Sequence, residues 1–210
     1  MTSASSHEIR EHYRSAANAF LATVSSLGQG DWSRPGLGVW TVRDLVGHAS
    51  RALLTVESYL DTEQTTDDPP VKDAAAYFQP SAVALADPSA VAERGRQAGA
   101  ALGDQPADAV AAIARRVLAL VDQSQDNALV NTPVGAMTLM GYLPTRTFEL
   151  VVHTLDLAAA ADTAVPAQLT GPLPACLQLA GQLAVEQGHG VEVLLALTGR
   201  RPLPAGFSIV

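Results

Sequence analysis

Apolar residues recur every three to four positions along most of this chain, and that helical period constrains the fold more than any other feature. Hydrophobic residues make up 48% of the chain but aromatic residues only 5%, so the core must consist mainly of alanine, leucine and valine. This composition favours an all-α fold. The recurring positions between Ser6 and Leu27 predict a first amphipathic helix with an inward face made of Ile9, Tyr13, Ala16, Ala17, Phe20, Val24 and Leu27.

A second helix is predicted to begin just after Thr41. Thr41 and Asp44 have the spacing of a capping box, in which each side chain accepts a hydrogen bond from a free backbone N–H at the helix start. The helix should run to about Leu60, and His48 lies in its middle at the edge of the apolar face. That face consists of Leu45, Ala49, Ala52, Leu53, Val56 and Leu60.

Two segments are predicted to be non-helical. Residues 61–73 are acidic and polar and contain two prolines, so we interpret them as a long surface connection that crosses over between helices. Residues 128–140 alternate weakly in polarity and contain turn formers, which predicts a short β-hairpin.

The remaining helices are predicted from proline positions and apolar spacing. Asp87 followed by Pro88 is typical of an N-cap with proline at the first helical position, and predicts a helix toward Leu102. Pro144 is likewise placed in the first turn of its helix. The other predicted bounds are about Ala107 to Gln123, Pro144 to Ala161, Pro172 to Gln187, and Val191 to Leu197.

Charge and cysteine content exclude several classes of function. The chain has 13 basic and 21 acidic residues and a net charge of -8, so a nucleic-acid backbone would be repelled. No apolar run approaches the roughly 20 residues of a membrane span, and the first residues lack the apolar core of a signal peptide. We therefore expect a cytoplasmic protein with no membrane partner. Because Cys176 is the only cysteine, any metal must be bound by histidines and carboxylates.

Three residues are candidate metal ligands. Glu149 and His153 are four positions apart on one predicted helix, so their side chains can reach one cation. His48 is the best third ligand. Two histidines and one carboxylate leave coordination positions open, as in catalytic zinc sites, although the same set suits iron(II). Such a pair also arises by chance in helices, so spacing alone leaves a purely structural role open.

Two charged residues on the same predicted helix are candidates for assisting roles. Asp156 lies three positions after His153, where its carboxylate can accept the second imidazole N–H and fix the tautomer. Arg146 lies three positions before Glu149, where its guanidinium can orient Glu149 or bind an anionic substrate. We therefore predict that Arg146 and Asp156 take part in catalysis.

Three stretches carry a resemblance to a known family. W-T-V-R-D-L-V-G-H at Trp40 to His48 and R-T-F-E-L-V-V-H-T-L-D-L at Arg146 to Leu157 resemble the mycothiol-dependent maleylpyruvate isomerases of the DinB-like superfamily. V-E-V-L-L-A-L-T-G-R-R-P-L-P, from Val191, resembles the end of these actinobacterial proteins. The resemblance implies a four-helix metal-binding bundle with a long crossover over residues 1–165. The chain departs from these isomerases after Pro166, because the residues that follow are fewer than the separate C-terminal domain typical of them. We therefore expect residues 166–210 to form a short helical extension packed on the bundle.

The resemblance also implies a chemistry. His48, Glu149 and His153 would bind a divalent metal, with zinc expected from the donor set, and the metal would activate mycothiol toward a small electrophile. The reaction would be S-transfer or cis-trans isomerisation. Arg200 matches the family's C-terminal arginine and becomes a candidate for binding the thiol. The residues themselves leave three other functions open: a metal-dependent hydrolase, an iron redox enzyme and a non-catalytic metal-binding bundle. They also leave open whether the chain forms a homodimer.

Overall fold

The computed structural model describes residues 4–79 and 87–209 of the chain. These residues are mainly helical, which confirms the all-α prediction, and they also form a small sheet. Eight α-helices lie within them: α1 (Ser6–Ser25), α2 (Val42–Tyr59), α3 (Ala74–Tyr77), α4 (Pro88–Ala101), α5 (Pro106–Gln123), α6 (Leu139–Ala161), α7 (Leu173–Glu186) and α8 (Gly190–Leu197).

Four of these helices form the bundle. Helices α1 and α2 each pack against both α5 and α6, and the apolar faces of all four meet in one core. The predicted capping box is present at the start of α2, where the Thr41 hydroxyl accepts from the Asp44 N–H and the Asp44 carboxylate accepts from the Thr41 N–H. Local hydrogen bonding therefore determines where the helix that carries His48 begins.

A three-stranded antiparallel sheet closes one end of the bundle in the order β1-β2-β3. The predicted hairpin is confirmed as β2 (Ala128–Thr132) and β3 (Gly135–Thr138). The prediction that residues 61–73 form only a surface connection is wrong at its start, because β1 (Leu60–Thr65) pairs with β2. This strand is polar and largely exposed, so the alternation that identifies half-buried strands is absent.

The prediction that Pro144 lies in the first turn of its helix is also wrong. Helix α6 begins five residues earlier at Leu139, because the Thr138 hydroxyl accepts a hydrogen bond of 3.0 Å from the Gly141 N–H. Pro144 lies inside the helix and removes one backbone hydrogen bond near its start. The helix continues to Ala161 as expected. Glu149 and His153 therefore lie in the middle of this helix, away from both of its ends.

Helix α4 packs against α2 at very short range because glycines lie at the crossing. A Cβ atom at Gly47 would lie only 2.1 Å from the backbone nitrogen of Gly99. One at Gly95 would lie 2.5 Å from the indole of Trp40. The absence of side chains at these positions brings α4 against the part of α2 that precedes His48.

The residues after α6 pack on the outside of the bundle. A short 3-10 helix (Ala167–Thr170) contacts α1, α7 contacts α6 and α3, and α8 contacts α7. Across residues 4–79 and 87–209, none of the helices combines the length and the apolar character that crossing a bilayer would require.

Candidate metal centre

The structure brings His48, Glu149 and His153 together. One potential ligand atom from each residue lies within 4.8 Å of the other two. Nε2 of His153 lies 3.3 Å from Oε2 of Glu149, and the His48 and His153 rings are 4.9 Å apart and nearly perpendicular. Residues from α2 and α6, separated by about a hundred positions, therefore converge on one point, as the sequence analysis expected.

Asp156 contacts the other nitrogen of His153. Its Oδ2 lies 3.0 Å from His153 Nδ1, one helical turn beyond the Glu149 contact. A carboxylate in this position accepts the Nδ1 proton and leaves Nε2 directed toward Glu149. The His153 side chain is only 12% exposed, so its ring is held by packing as well as by hydrogen bonds.

The pKa values of His153 and Glu149 move in opposite directions because the two groups pair. Burial opposes the charged form of His153, but its hydrogen bonds to Asp156 and Glu149 raise its pKa to about 9. Burial also opposes the charged form of Glu149, yet the His153 hydrogen bond and the Arg146 charge lower its pKa. Without a metal, the pair is therefore a histidinium and a carboxylate at neutral pH.

His48 is neutral. Burial, reinforced by the nearby His153, lowers its pKa to about 4. Among the described residues, its Nδ1 atom is buried and has no hydrogen-bond partner. A neutral imidazole with a buried nitrogen that no described residue satisfies, beside a carboxylate and a second imidazole, fits the donor set of a divalent cation.

Trp40 forms one wall of the site, a role that the sequence pattern did not predict. Its ring lies 4.4 Å from the His48 ring at a tilt of 32°. The indole Nε1 donates to the Ala92 carbonyl at 2.9 Å, and the ring lies against Gly95. Helix α4 therefore holds Trp40 in place. Only the occurrence of Trp40 eight residues before His48 could have indicated this contact.

Arg146 is buried beside Glu149 but forms no ion pair with any described carboxylate. It is 8% exposed, and its Nε donates to the Thr145 hydroxyl at 2.9 Å. Its guanidinium carbon lies 5.2 Å from the centre of the Tyr77 ring and 4.9 Å from that of Tyr142. Burial opposes its charge, but the surrounding tyrosines and Glu149 raise its pKa. Arg146 therefore remains cationic, and its terminal nitrogens form no hydrogen bond with the residues that the structure describes.

Arg200, the predicted thiol contact, lies on the extension that follows the bundle. Arg200 is exposed after the end of α8, where its Nη1 donates to the Thr198 carbonyl at 2.8 Å. Within the described chain, no hydrogen bond or ion pair connects it to α2 or α6. Cys176 is buried, and burial raises the pKa of its thiol to about 12, which makes it a poor nucleophile.

A cavity of about 690 Å³ lies elsewhere, between the start of α1, the first half of α6 and α7. Pro144 and Thr147 line it, and on a helix they face away from Glu149 and His153. The metal-ligand candidates instead reach solvent directly, because the Glu149 side chain is 27% exposed. Glu149 therefore contacts solvent without this cavity.

Comparison with known proteins gave one match. The profile described as the mycothiol maleylpyruvate isomerase N-terminal domain matches residues 13–158, which include Trp40, His48, Arg146, Glu149, His153 and Asp156. Searches of curated proteins and of solved structures found nothing that matches.

Proposed function

The chain belongs to the mycothiol maleylpyruvate isomerase N-terminal domain family, and from this premise we propose that it is a mycothiol-dependent metalloenzyme. Residues 1–165 form the catalytic bundle in this proposal, and residues 166–210 form an extension packed on it. The observation that carries the proposal is the convergence of His48, Glu149 and His153 around one point that solvent can reach.

The donor set supports a divalent cation, with zinc as the first candidate. Two neutral nitrogens and one carboxylate oxygen are common zinc ligands, and three protein ligands leave a position for an exogenous group. A zinc ion held there supplies a Lewis acid that lowers the pKa of a coordinated thiol, so that the sulfur is nucleophilic at neutral pH.

Asp156 positions a ligand in this proposal. Its 3.0 Å contact with Nδ1 keeps the His153 ring oriented and keeps the proton on the nitrogen that faces away from Glu149. A proton held on Nδ1 leaves the Nε2 lone pair free. Asp156 therefore favours the neutral tautomer that can bind a metal.

Arg146 binds the electrophile in this proposal. A buried guanidinium that lacks a carboxylate partner is costly to maintain, and its terminal nitrogens can still donate to a planar anionic group. Its position three residues before Glu149 places that charge within reach of the candidate centre. An electrophile with a negatively charged group would be oriented with its reactive carbon toward the thiol.

The proposed reaction is an addition of mycothiol to an electron-poor double bond. The thiolate sulfur forms a bond to the electron-poor carbon, and the electron pair of the double bond moves onto the activating carbonyl group. If the proton released by the thiol is then added to the carbon of this adduct, the product is an S-conjugate. If the adduct instead rotates about the former double bond before it is protonated, the electron pair returns, the same thiolate is expelled and the trans isomer is released. Arg200 is the proposed contact for the sugar portion of mycothiol.

A direct test uses metal-loaded protein, mycothiol and two acceptors. We expect metal-dependent consumption of thiol with an α,β-unsaturated ketone, or metal- and thiol-dependent isomerisation of a cis-configured unsaturated keto acid. Glu149→Ala should abolish both activities, while His7→Ala, which changes an exposed histidine, should leave them intact.

Absence of thiol chemistry in fully metal-loaded protein would contradict the proposal. Ester or amide hydrolysis in its place would identify a metal-dependent hydrolase, and oxygen consumption by the iron form would identify a redox enzyme. A tightly bound metal with none of these activities would identify a non-catalytic bundle.

A further inference from the structure

Exposed large apolar side chains are concentrated at the C-terminal end of the chain. Of the ten such residues in the described ranges, eight lie at or after Val165, and the other two are Leu37 and Val39. Single exposed leucines scattered over a surface are ordinary, but a concentration of them marks an interaction site. We define the C-terminal apolar surface as Leu177, Val185, Val191, Leu194 and Leu197, each between 60% and 77% exposed.

This surface lies on the outer sides of two helices that pack against each other. Helix α7 buries Cys176, Leu179 and Leu183 against the bundle, so its inner side is already occupied. Leu177 and Val185 lie on its outer side, eight residues and about two turns apart. Helix α8 contacts α7 and buries none of its residues fully. The extension therefore completes its packing on the bundle and still presents apolar side chains to water.

The charge of the extension differs from that of the rest of the chain. Residues 166–210 contain two acids and two arginines, namely Glu186, Glu192, Arg200 and Arg201. The whole net charge of -8 therefore belongs to residues 1–165. Two copies of the chain repel each other wherever their bundles approach, because both bundles are acidic. The extension is the part of the chain through which two copies can approach without that repulsion.

The size of the surface also fits a second copy. Its five side chains, each 60–77% exposed, supply the apolar centre of a standard interface, in which each partner buries roughly 800 Å² in total. A membrane is a poorer occupant. The segment from Leu173 to Leu197 contains no lysine or arginine, whereas helices that bind anionic bilayers carry basic residues on their polar face.

We infer that the chain forms a homodimer through the C-terminal apolar surface. The contact is isologous, with α7 and α8 of one copy packed against α7 and α8 of the other around a two-fold axis. The acidic bundles point away from the axis. This inference does not depend on the proposed function, because no metal-ligand candidate lies on α7 or α8.

The first test measures the mass of the full chain in solution by sedimentation equilibrium over a wide concentration range. We expect a species of twice the chain mass, with a dissociation constant that decreases as salt screens the acidic bundles. Leu194→Glu should raise that constant about 100-fold or more, because it would bury two unpaired carboxylates at the contact. Val39→Glu adds the same charge at an exposed valine outside the surface and should have no such effect.

The second test uses cysteine cross-linking and does not depend on whether the glutamate variant folds. Leu194→Cys should form an intermolecular disulfide under mild oxidation, whereas Val39→Cys should not, and buried Cys176 should stay unreactive in both variants. A wild-type chain that stays monomeric at high concentration would overturn the inference. So would a Leu194→Glu variant that dimerises as the wild type does, or binding of the wild type to phosphatidylcholine or phosphatidylglycerol vesicles.

Discussion

Around the metal-ligand candidates, charged and polar side chains are buried, whereas on α7 and α8 leucines and valines face solvent. His48 has a buried nitrogen without a partner, and Arg146 is a buried cation without a carboxylate. Leu194 and Leu197 show the opposite mismatch between side chain and surroundings, because they are apolar and exposed to water. Each mismatch costs free energy in the isolated chain. The comparison teaches that an unsatisfied buried polar group indicates a missing ligand, while an unsatisfied apolar surface indicates a missing partner.

The largest expected effect comes from removing a metal ligand. His153→Ala should reduce bound metal in purified protein from about one equivalent to background, a loss of affinity of roughly 1,000-fold or more, because two ligands rarely hold zinc. Elemental analysis checks this result. His7→Ala is the matched control. Metal retained by His153→Ala would show that the polar mismatch has another cause.

The pH dependence of the metal-free protein is the next test of the polar region. His153 has a folded pKa of about 9 against 6.5 for the free side chain, so its stabilisation is complete below pH 6.5 and is lost as pH rises through 9. His48 has a folded pKa of about 4, so its contribution is lost as pH falls below 6.5.

These two groups together predict greatest stability near pH 6.5 and a loss on the order of 2–3 kcal/mol by pH 9.5. Urea unfolding in the presence of a chelator measures this change, and His153→Gln should remove the alkaline part. Titration calorimetry in two buffers should also show about one proton released per metal bound at pH 7.5, since the metal displaces the His153 proton. Unchanged stability from pH 6.5 to 9.5 would contradict the ion pair.

Asp156→Asn should weaken metal binding about 10- to 100-fold, because the amide cannot stabilise the Nδ1 proton as a carboxylate does. Competition with a chromophoric chelator measures this affinity. Asp162→Asn, a nearby carboxylate with no contact to His153 among the described residues, is the control. If both substitutions weakened metal binding equally, the cause would be the loss of a negative charge near the site and not the loss of the contact with His153.

Arg146→Met separates the two roles considered for Arg146. If the guanidinium binds the electrophile, the KM of an anionic electrophile should rise about 10- to 100-fold, while metal affinity should increase a few-fold because a nearby positive charge is removed. Steady-state kinetics and chelator competition give the two values. Weaker metal binding with an unchanged KM would show that Arg146 orients Glu149 instead.

The smallest expected effect belongs to the apolar region. Leu194→Ala should change the stability of the dissociated chain by less than about 0.5 kcal/mol, because its side chain contacts mostly water there. Leu183→Ala, on the buried side of α7, should cost about 2–5 kcal/mol. Thermal unfolding at high dilution compares them. Similar costs would show that Leu194 is already packed within its own chain.

Local chemistry explains which elements could be predicted from the sequence. The capping box at Thr41 and Asp44 and the N-cap at Asp87 depend on neighbours within three residues, so both helix starts were predictable. The start of α6 was mispredicted because Pro144 gave a stronger signal than the hydroxyl cap of Thr138. Strand β1 was missed because its polar residues acquire strand structure only by pairing with β2.

The sequence by itself determined the helical period, the caps, the charge distribution and the four-residue spacing of Glu149 and His153, since each depends on residues close together in the chain. The tertiary structure decided which groups meet across the bundle. Trp40 reaches His48 because glycines let α4 approach α2, and Arg146 lies among tyrosines from separate elements. Such contacts depend on how whole helices pack, and packing is determined by the shape and volume of side chains distant in sequence.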